Sequence, residues 1–442
     1  MALDRTQSTK LLQEVLATAA KVAPGAQAKV GIVSAREANA RFAKGGITSA
    51  GDVNETTLTV GLAFGKRHAS STTNQLDARS LRDVVVRTRE MAKLAPEDPE
   101  YMPPLGAQKY ASAGAAYDPA IEKLDATALA DAAQSALRAA KDASVDLAGY
   151  LQHRTEAWGL ADSAGLSAYH LETPVEFTAT ARTPDGTGSG WGGAWTNRWR
   201  ELDAGATSTV AIDKALKSRK ARALAPGRYT VVLEPAAVAN LISFLAWSLD
   251  ARRADEGRSF FAKAGGGTKL GERLFGEHIT FRSDPGRPEM PFTPFDEEGL
   301  PILPTTWIDR GQVAALEYSR YWAAKQSKTP TGRPEGYELL GGTESSAKLV
   351  SGVKRGVLIT RFWYLRWLDP MTMTVTGLTR DGVFLIEGGE VTGPVNNFRF
   401  NESPINLLKN ADGLASQVRV GNKRVPALRS HEFNLASVSN AV

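Results

Sequence analysis

Residues 226–250 read PGRYTVVLEPAAVANLISFLAWSLD, and this stretch divides the chain. Pro226-Gly227 stops whatever precedes it. Tyr229–Leu233 is a β-branched, apolar run that predicts a strand. Pro235 stands where a helix can begin, because the first helical turn does not use the N–H that proline lacks. Beyond it Val238, Leu241, Ile242, Leu245 and Leu249 recur at helical spacing, which predicts a helix over 236–250 with one apolar stripe. A domain boundary is therefore expected at Pro226-Gly227, with an N-terminal domain over 1–225 and a C-terminal domain over 226–442.

Upstream, the pattern alternates between helix and strand. Thr9–Val22 carries Leu11, Leu12, Val15, Leu16 and Ala19 at helical spacing and stops at Pro24-Gly25. Ala28–Val33 and Thr57–Phe64 alternate as strands, and Asp77–Lys93 is a second amphipathic helix closed by Ala95-Pro96. Ala120–Ala143 predicts one long Ala-rich helix with Asp125 near its start. Strands follow at Ala157–Asp162 and Val175–Arg182, then a basic helix at Asp213–Leu224. This is an α+β arrangement, helices packed on an antiparallel or mixed sheet.

Downstream, the texture changes. Gly356–Trp367 and Met371–Thr376 read as strands. Val383–Glu387 and Glu390–Val391 flank Gly388-Gly389, a two-residue hairpin signal. The C-terminal half is expected to be a β-rich barrel or sandwich.

Composition narrows the chemistry. The 442 residues contain no cysteine, which excludes disulfides, thiolate nucleophiles and Cys-containing zinc sites. No stretch near the start is apolar enough for a signal core. The most apolar segment, Leu233–Leu249, is interrupted by Asn240, Ser243 and Ser248, so no membrane span is expected. A soluble cytoplasmic protein follows as the expectation. The net charge of +5 raises nucleic-acid binding, but 53 basic residues are interspersed with 48 acidic ones, the pattern of an ordinary solvated surface.

The candidate motifs are weak one by one. The five histidines, His68, His153, His170, His278 and His431, are too far apart to form the helical zinc pair His-Glu-x-x-His. Gly188-Ser189-Gly190-Trp191-Gly192-Gly193 fits G-x-G-x-x-G, yet lacks the strand-then-helix setting of a dinucleotide site and reads as a glycine-rich turn. Trp191, Trp195 and Trp199, and the run Arg361-Phe362-Trp363-Tyr364-Leu365-Arg366-Trp367, mix aromatic and basic residues. Such mixtures stack nucleic-acid bases, but they equally build strands and subunit interfaces. Asp296-Glu297-Glu298-Gly299 reads as a solvated turn, not a paired-carboxylate site.

The ordered set of segments resembles the TldD/PmbA family, also called modulator of DNA gyrase. The resemblance runs through Pro226-Gly227-Arg228-Tyr229, Val232-Leu233-Glu234-Pro235, Leu241–Leu245, Arg258-Ser259-Phe260-Phe261 and His278–Pro285. It continues through Phe295–Pro301, Ile308–Val313 and Asp381–Val391. Leu94–Pro99 and Asp162–Leu166 look like its landmarks in the N-terminal half.

The resemblance implies two kinds of member. The TldD kind binds zinc through two histidines of His-Glu-x-x-x-His, with the Glu as general base and a cysteine as a further ligand. The TldE (PmbA) kind lacks the motif and pairs with TldD. Set on this chain, the motif's histidines fall at Ser243 and Ser248 and its Glu at Phe244, and no His or Glu lies between Pro235 and Asp255. The implied reading is a TldE-like subunit with no catalytic or metal-binding residues of its own. Zinc belongs to a TldD-type partner, and Ser243, Phe244, Trp247 and Ser248 line the relic cavity or pack the core.

By the same resemblance, the heterodimer encloses a cavity where unfolded peptides are cut, as in trimming of peptide-antibiotic precursors or degradation of loosely folded proteins. Peptide could be held by adding a strand to a sheet edge. The alternatives are a homodimer that binds peptides or a partner without cleaving, and, further off, a nucleic-acid- or gyrase-associated protein.

Overall fold

The computed structural model describes residues 2–439. Its first half is built on a sheet of seven strands, antiparallel throughout. Helix α1 (Arg5–Val22) starts at Asp4, whose carboxylate accepts the Gln7 N–H while the Gln7 side chain caps Asp4 in return. Strands β1 (Gln27–Ala43), β2 (Gly46–Phe64) and β3 (Arg67–Thr73) follow, then α2 (Ala78–Leu94), capped by Asp77. The expected strands at 28–33 and 57–64 are the apolar ends of longer ones. Their polar continuations pair at one-to-one register as far as Arg41 and Ser49. β3 carries no large apolar residue, so its sequence offered no strand signal.

The Ala-rich segment is two helices, α3 (Pro119–Glu122) and α4 (Ala126–Asp142), not one. Asp125 ends the first by capping the second, accepting the N–H groups of Thr127 and Ala128. Strands β4 (Asp146–Asp162), β5 (Ser167–Glu172), β6 (Val175–Arg182) and β7 (Ser189–Thr196) complete the sheet in the order β3-β2-β1-β4-β6-β7, with β5 on β4. The glycine-rich stretch is thus a strand rather than a turn. Its glycines make room for helix α5 (Ala204–Lys217), which lies directly on it. A Cβ at Gly190 would stand 2.1 Å from the Ala211 carbonyl oxygen, and one at Gly192 2.4 Å from that of Thr207. The expected basic helix at 213–224 is only the end of α5, which stops at Lys217.

The second half opens with β8 (Gly227–Leu233) and α6 (Pro235–Trp247). Helix α6 ends at Trp247, short of the expected 250, and a separate turn of helix, α7 (Ala251–Asp255), begins at an Asp250 cap. Short elements come next: β9 (Phe281–Ser283), β10 (Thr305–Asp309), β11 (Gln312–Val313), α8 (Arg320–Lys325), β12 (Tyr337–Leu339) and α9 (Ser346–Ser351). The chain closes with long strands: β13 (Arg355–Asp369), β14 (Thr374–Glu387), β15 (Glu390–Pro394), β16 (Asn397–Glu402), then α10 (Pro404–Lys409), β17 (Ala411–Val420) and β18 (Lys423–Ser439). Met371–Met373 form the turn before β14, and the separate runs read at 371–376 and 383–387 share that one strand.

Strand β18 pairs with β16, β16 with β14, β14 with β13, β13 with β8, and β8 again with β18. Five strands therefore close a hydrogen-bonded ring, which removes their edges. The core at this ring gathers Val231, Leu233, Ile359, Phe362, Phe400 and Phe433 around the apolar face of α6. The fold is α+β, as the sequence predicted.

Polar ties join the two halves. Ser189 on β7 donates to the fully buried Asp381 on β14 at 2.5 Å, and Arg361 stands 2.7 Å from the same carboxylate. Lys214 on α5 meets Glu234, at the start of α6, at 2.6 Å.

Candidate functional site

Helix α6 is where the resemblance places the chemistry, and its surroundings are those of a packing element. Ala237, Val238, Leu241, Ile242 and Leu245 are wholly buried. Each larger aliphatic among them contributes roughly 1.5–3 kcal/mol by burial. The Ser243 hydroxyl donates to the Ala239 carbonyl at 2.8 Å, and that of Ser248 to the Phe244 carbonyl at 2.8 Å. Both hydroxyls are thus tied back into their own helix. Phe244 is buried and meets Trp247 and Trp367 edge-on, with ring centroids 5.2 and 4.7 Å away. Trp247 is 56% exposed.

Trp247 borders a cavity of about 860 Å³ between the halves. The N-terminal sheet supplies Trp158, Glu176 and Trp195; the C-terminal half supplies Phe292, Glu317 and Lys423. Ser243, Phe244 and Ser248 are not among its lining residues. The acidic turn does reach it: Asp296 accepts the N–H groups of Glu298 and Leu300, and Arg320 holds Glu298 at 2.9 Å. The turn was expected; its place at a cavity wall was not visible in the sequence.

Burial shifts several of these groups. Glu317 is pushed up to about 7, against the pull of Arg333 at 3.8 Å. Lys423 is lowered by burial to about 8. Asp296 is raised by burial, offset by the N–H groups it accepts. Aromatic rings grouped with buried charges are the usual lining of ligand-binding clefts.

The other candidates disperse. His431 bonds Thr230 and Asp412, His278 faces the Ala411 carbonyl, and His68 pairs with Asp98. His170 lies 3.4 Å from Glu172. His153 is buried with neither ring nitrogen hydrogen-bonded. Trp191 stacks under Arg361, while Trp199 meets His153 edge-on. In the 361–367 run, Phe362 is buried in the ring core while Trp363 and Tyr364 face outward.

Residues 226–437 match the family model described as the PmbA/TldA metallopeptidase C-terminal domain. The chain belongs to the TldD/PmbA family. Curated relatives of this TldD/PmbA chain include a metalloprotease of Methanothermobacter thermautotrophicus, 26% identical over 226 residues, which is 47% of this chain and 47% of that protein. Another, from Archaeoglobus fulgidus, is 29% identical over 153 residues, 34% of this chain and 32% of the relative. The matched stretches thus span half or less of either relative.

The fold of TldD/PmbA proteins extends over nearly the whole chain. TldE from Thermococcus kodakarensis superposes with a TM-score of 0.87 at 17% identity, covering 96% of this chain and 99% of that one. A candidate modulator of a DNA gyrase from Thermotoga maritima gives 0.85 at 18% identity, again over 96% and 99%. At these identities the likeness is one of fold.

Zinc is the metal that the TldD motif implies, so the donor set can be tested against it. Zinc sites are made of thiolate, imidazole and carboxylate. The three motif positions offer two neutral hydroxyls already engaged with the backbone and a phenyl ring packed between indoles. Among the described residues no three His, Cys, Asp or Glu side chains are grouped to hold a metal ion. Helix α6 does not fit the metal. Among those residues, too, no helix is long and apolar enough to cross a membrane.

Proposed function

We propose that this chain is the non-catalytic, TldE-type subunit of a TldD/TldE heterodimeric zinc metallopeptidase that processes or degrades unfolded peptides. The observation that carries this reading is the state of α6: the helix is kept in the core, while Ser243, Phe244 and Ser248 stand where imidazoles and a carboxylate would be needed. The chain's part is to shape the cavity and hold peptide there, and the zinc and the water-activating base come from the partner. The aromatic and charged lining around Trp247 supports this, since aromatic rings grip side chains of many kinds.

The decisive experiment measures zinc content and peptidase activity of the purified chain, alone and mixed with a TldD-type protein from the same genome. Cleavage confined to the mixture, with zinc in the partner, is the expected result. Stoichiometric zinc and cleavage by this chain alone would overturn the reading. A peptide-binding homodimer that gains no activity from any TldD-type protein would replace it with a capture function.

A further inference from the structure

Five basic side chains line the cavity, and they fall into two groups. Arg154, Arg320 and Arg333 are paired with carboxylates, to Glu156 at 2.8 Å, Glu298 at 2.9 Å and Glu317 at 3.8 Å. Arg419 and Lys423 are not. They flank the tip of the β17–β18 hairpin, both partly buried, and among the described residues neither makes an ion pair. Arg419 donates from Nη1 to the Asn197 side-chain oxygen at 2.6 Å and from Nε to the Gly421 carbonyl at 3.1 Å. Lys423 donates from Nζ to the Asn422 side-chain oxygen at 2.8 Å. All three acceptors are neutral. Glu172 and Glu201 act on Arg419 only from beyond ion-pair distance, and burial lowers Lys423 without a neighbouring carboxylate to offset it.

Partly buried cations without counter-ions cost stability, and a fold that keeps two of them lining one cavity gains from an anion arriving there. Each has N–H groups to spare, each reaches to a residue of the hairpin tip, Gly421 or Asn422, and guanidinium and ammonium groups both bind carboxylates. The remaining wall decides what the carboxylate is attached to. Asp296, Glu297, Glu317 and Glu335 line the same cavity, so a polyanion is repelled. A single carboxylate on an otherwise uncharged or cationic backbone is accommodated. Trp158, Trp195 and Phe292 provide apolar surface for side chains.

We propose that Arg419 and Lys423 form a recognition site for one carboxylate of the peptide held in this cavity. The inference rests on the peptide-holding role proposed above and adds what that role selects. The carboxylate can come from the peptide's C-terminus or from an Asp or Glu side chain.

The test titrates three peptides of one core sequence into the full chain by calorimetry. One has a free C-terminal acid, one a C-terminal amide, and one an amide with an internal Asp. The expected result is at least tenfold tighter binding of a carboxylate-bearing peptide than of the plain amide. The preferred carboxylate peptide identifies its source. Lys423→Met and Arg419→Gln each reduce the discrimination below threefold, while Lys423→Arg, which keeps the charge, retains it. Equal affinity for all three peptides would overturn this inference and leave the peptide-holding role standing. Discrimination that survives both charge-removing variants would do the same. If no peptide binds, both fall together.

Discussion

Helix α6 and the tip of the β17–β18 hairpin lie in the same half of the chain and treat polar chemistry in opposite ways. At the motif positions of α6 the polar groups are quenched: two serines bond their own backbone and an aromatic ring fills the third position. At the hairpin tip two cations are left without carboxylate partners on a cavity wall. A position optimised for stability buries apolar surface and satisfies its hydrogen bonds. A position kept for binding carries a cost that only a ligand removes. Under the proposed role, function therefore lies away from the helix that the sequence singles out.

The largest test of this contrast is Phe244→Ala. If α6 is a packing element, the variant loses about 3–5 kcal/mol in chemical denaturation, the range for a buried Phe. It should gain no zinc. A loss below 1 kcal/mol would mean the ring is not core.

Next in size is His153, a buried polar group that is not part of the cavity lining. Burial, helped by Arg36, lowers it to about 4 from an ordinary 6.5, with Asp52 opposing. The unfolded chain therefore binds a proton first as pH falls. Stability is lost from pH 6.5 down to about 4, by on the order of 3 kcal/mol. His153→Leu should flatten this part of the stability–pH curve relative to the parent, and an unchanged slope would refute the assignment.

Lys423→Met should act in the opposite direction to Phe244→Ala. Removing an unpaired, partly buried cation is expected to raise stability by about 1–2 kcal/mol at neutral pH. The sign with pH is fixed as well. The lowered lysine sheds its proton near pH 8 in the folded state and near 10.5 when unfolded, so parental stability rises with pH across that interval. Comparison of the two melting profiles checks both points, and a destabilised Met variant would erase the contrast.

The smallest effect belongs to Ser243→Ala and Ser248→Ala. Each removes a hydroxyl that only folds back on the helix, and each should change stability by less than about 0.5 kcal/mol.

The fold was legible where apolar residues keep a period. Helix α1, β6, β8 and the Gly388-Gly389 hairpin fall close to where alternation or helical spacing puts them. It was illegible where another requirement writes the sequence. In β7 the glycines serve the helix lying on it, so a strand resembles a turn. In β3 the residues are polar or small because the strand is an edge. At the end of α5 the basic run carries on past the helix, with Arg219, Lys220 and Arg222 beyond its last residue, Lys217. The motif positions on α6 could be read from resemblance, but the cavity could not. Trp158, Trp195, Phe292, Glu317, Arg419 and Lys423 come from segments far apart along the chain, and no local spacing reports that they meet.

The five-stranded ring has one more consequence, for the timing of synthesis. Its first strand, β8, ends at Leu233, but β18, which closes it, runs to Ser439. A ribosome adding residues at ordinary rates needs on the order of 10–40 s to cover that interval. For most of it α6 has been synthesised with its apolar residues and has no ring to enter. The N-terminal sheet is complete by Thr196 and can form first. The apolar face of α6 therefore stays uncovered in the nascent chain until the closing strand arrives.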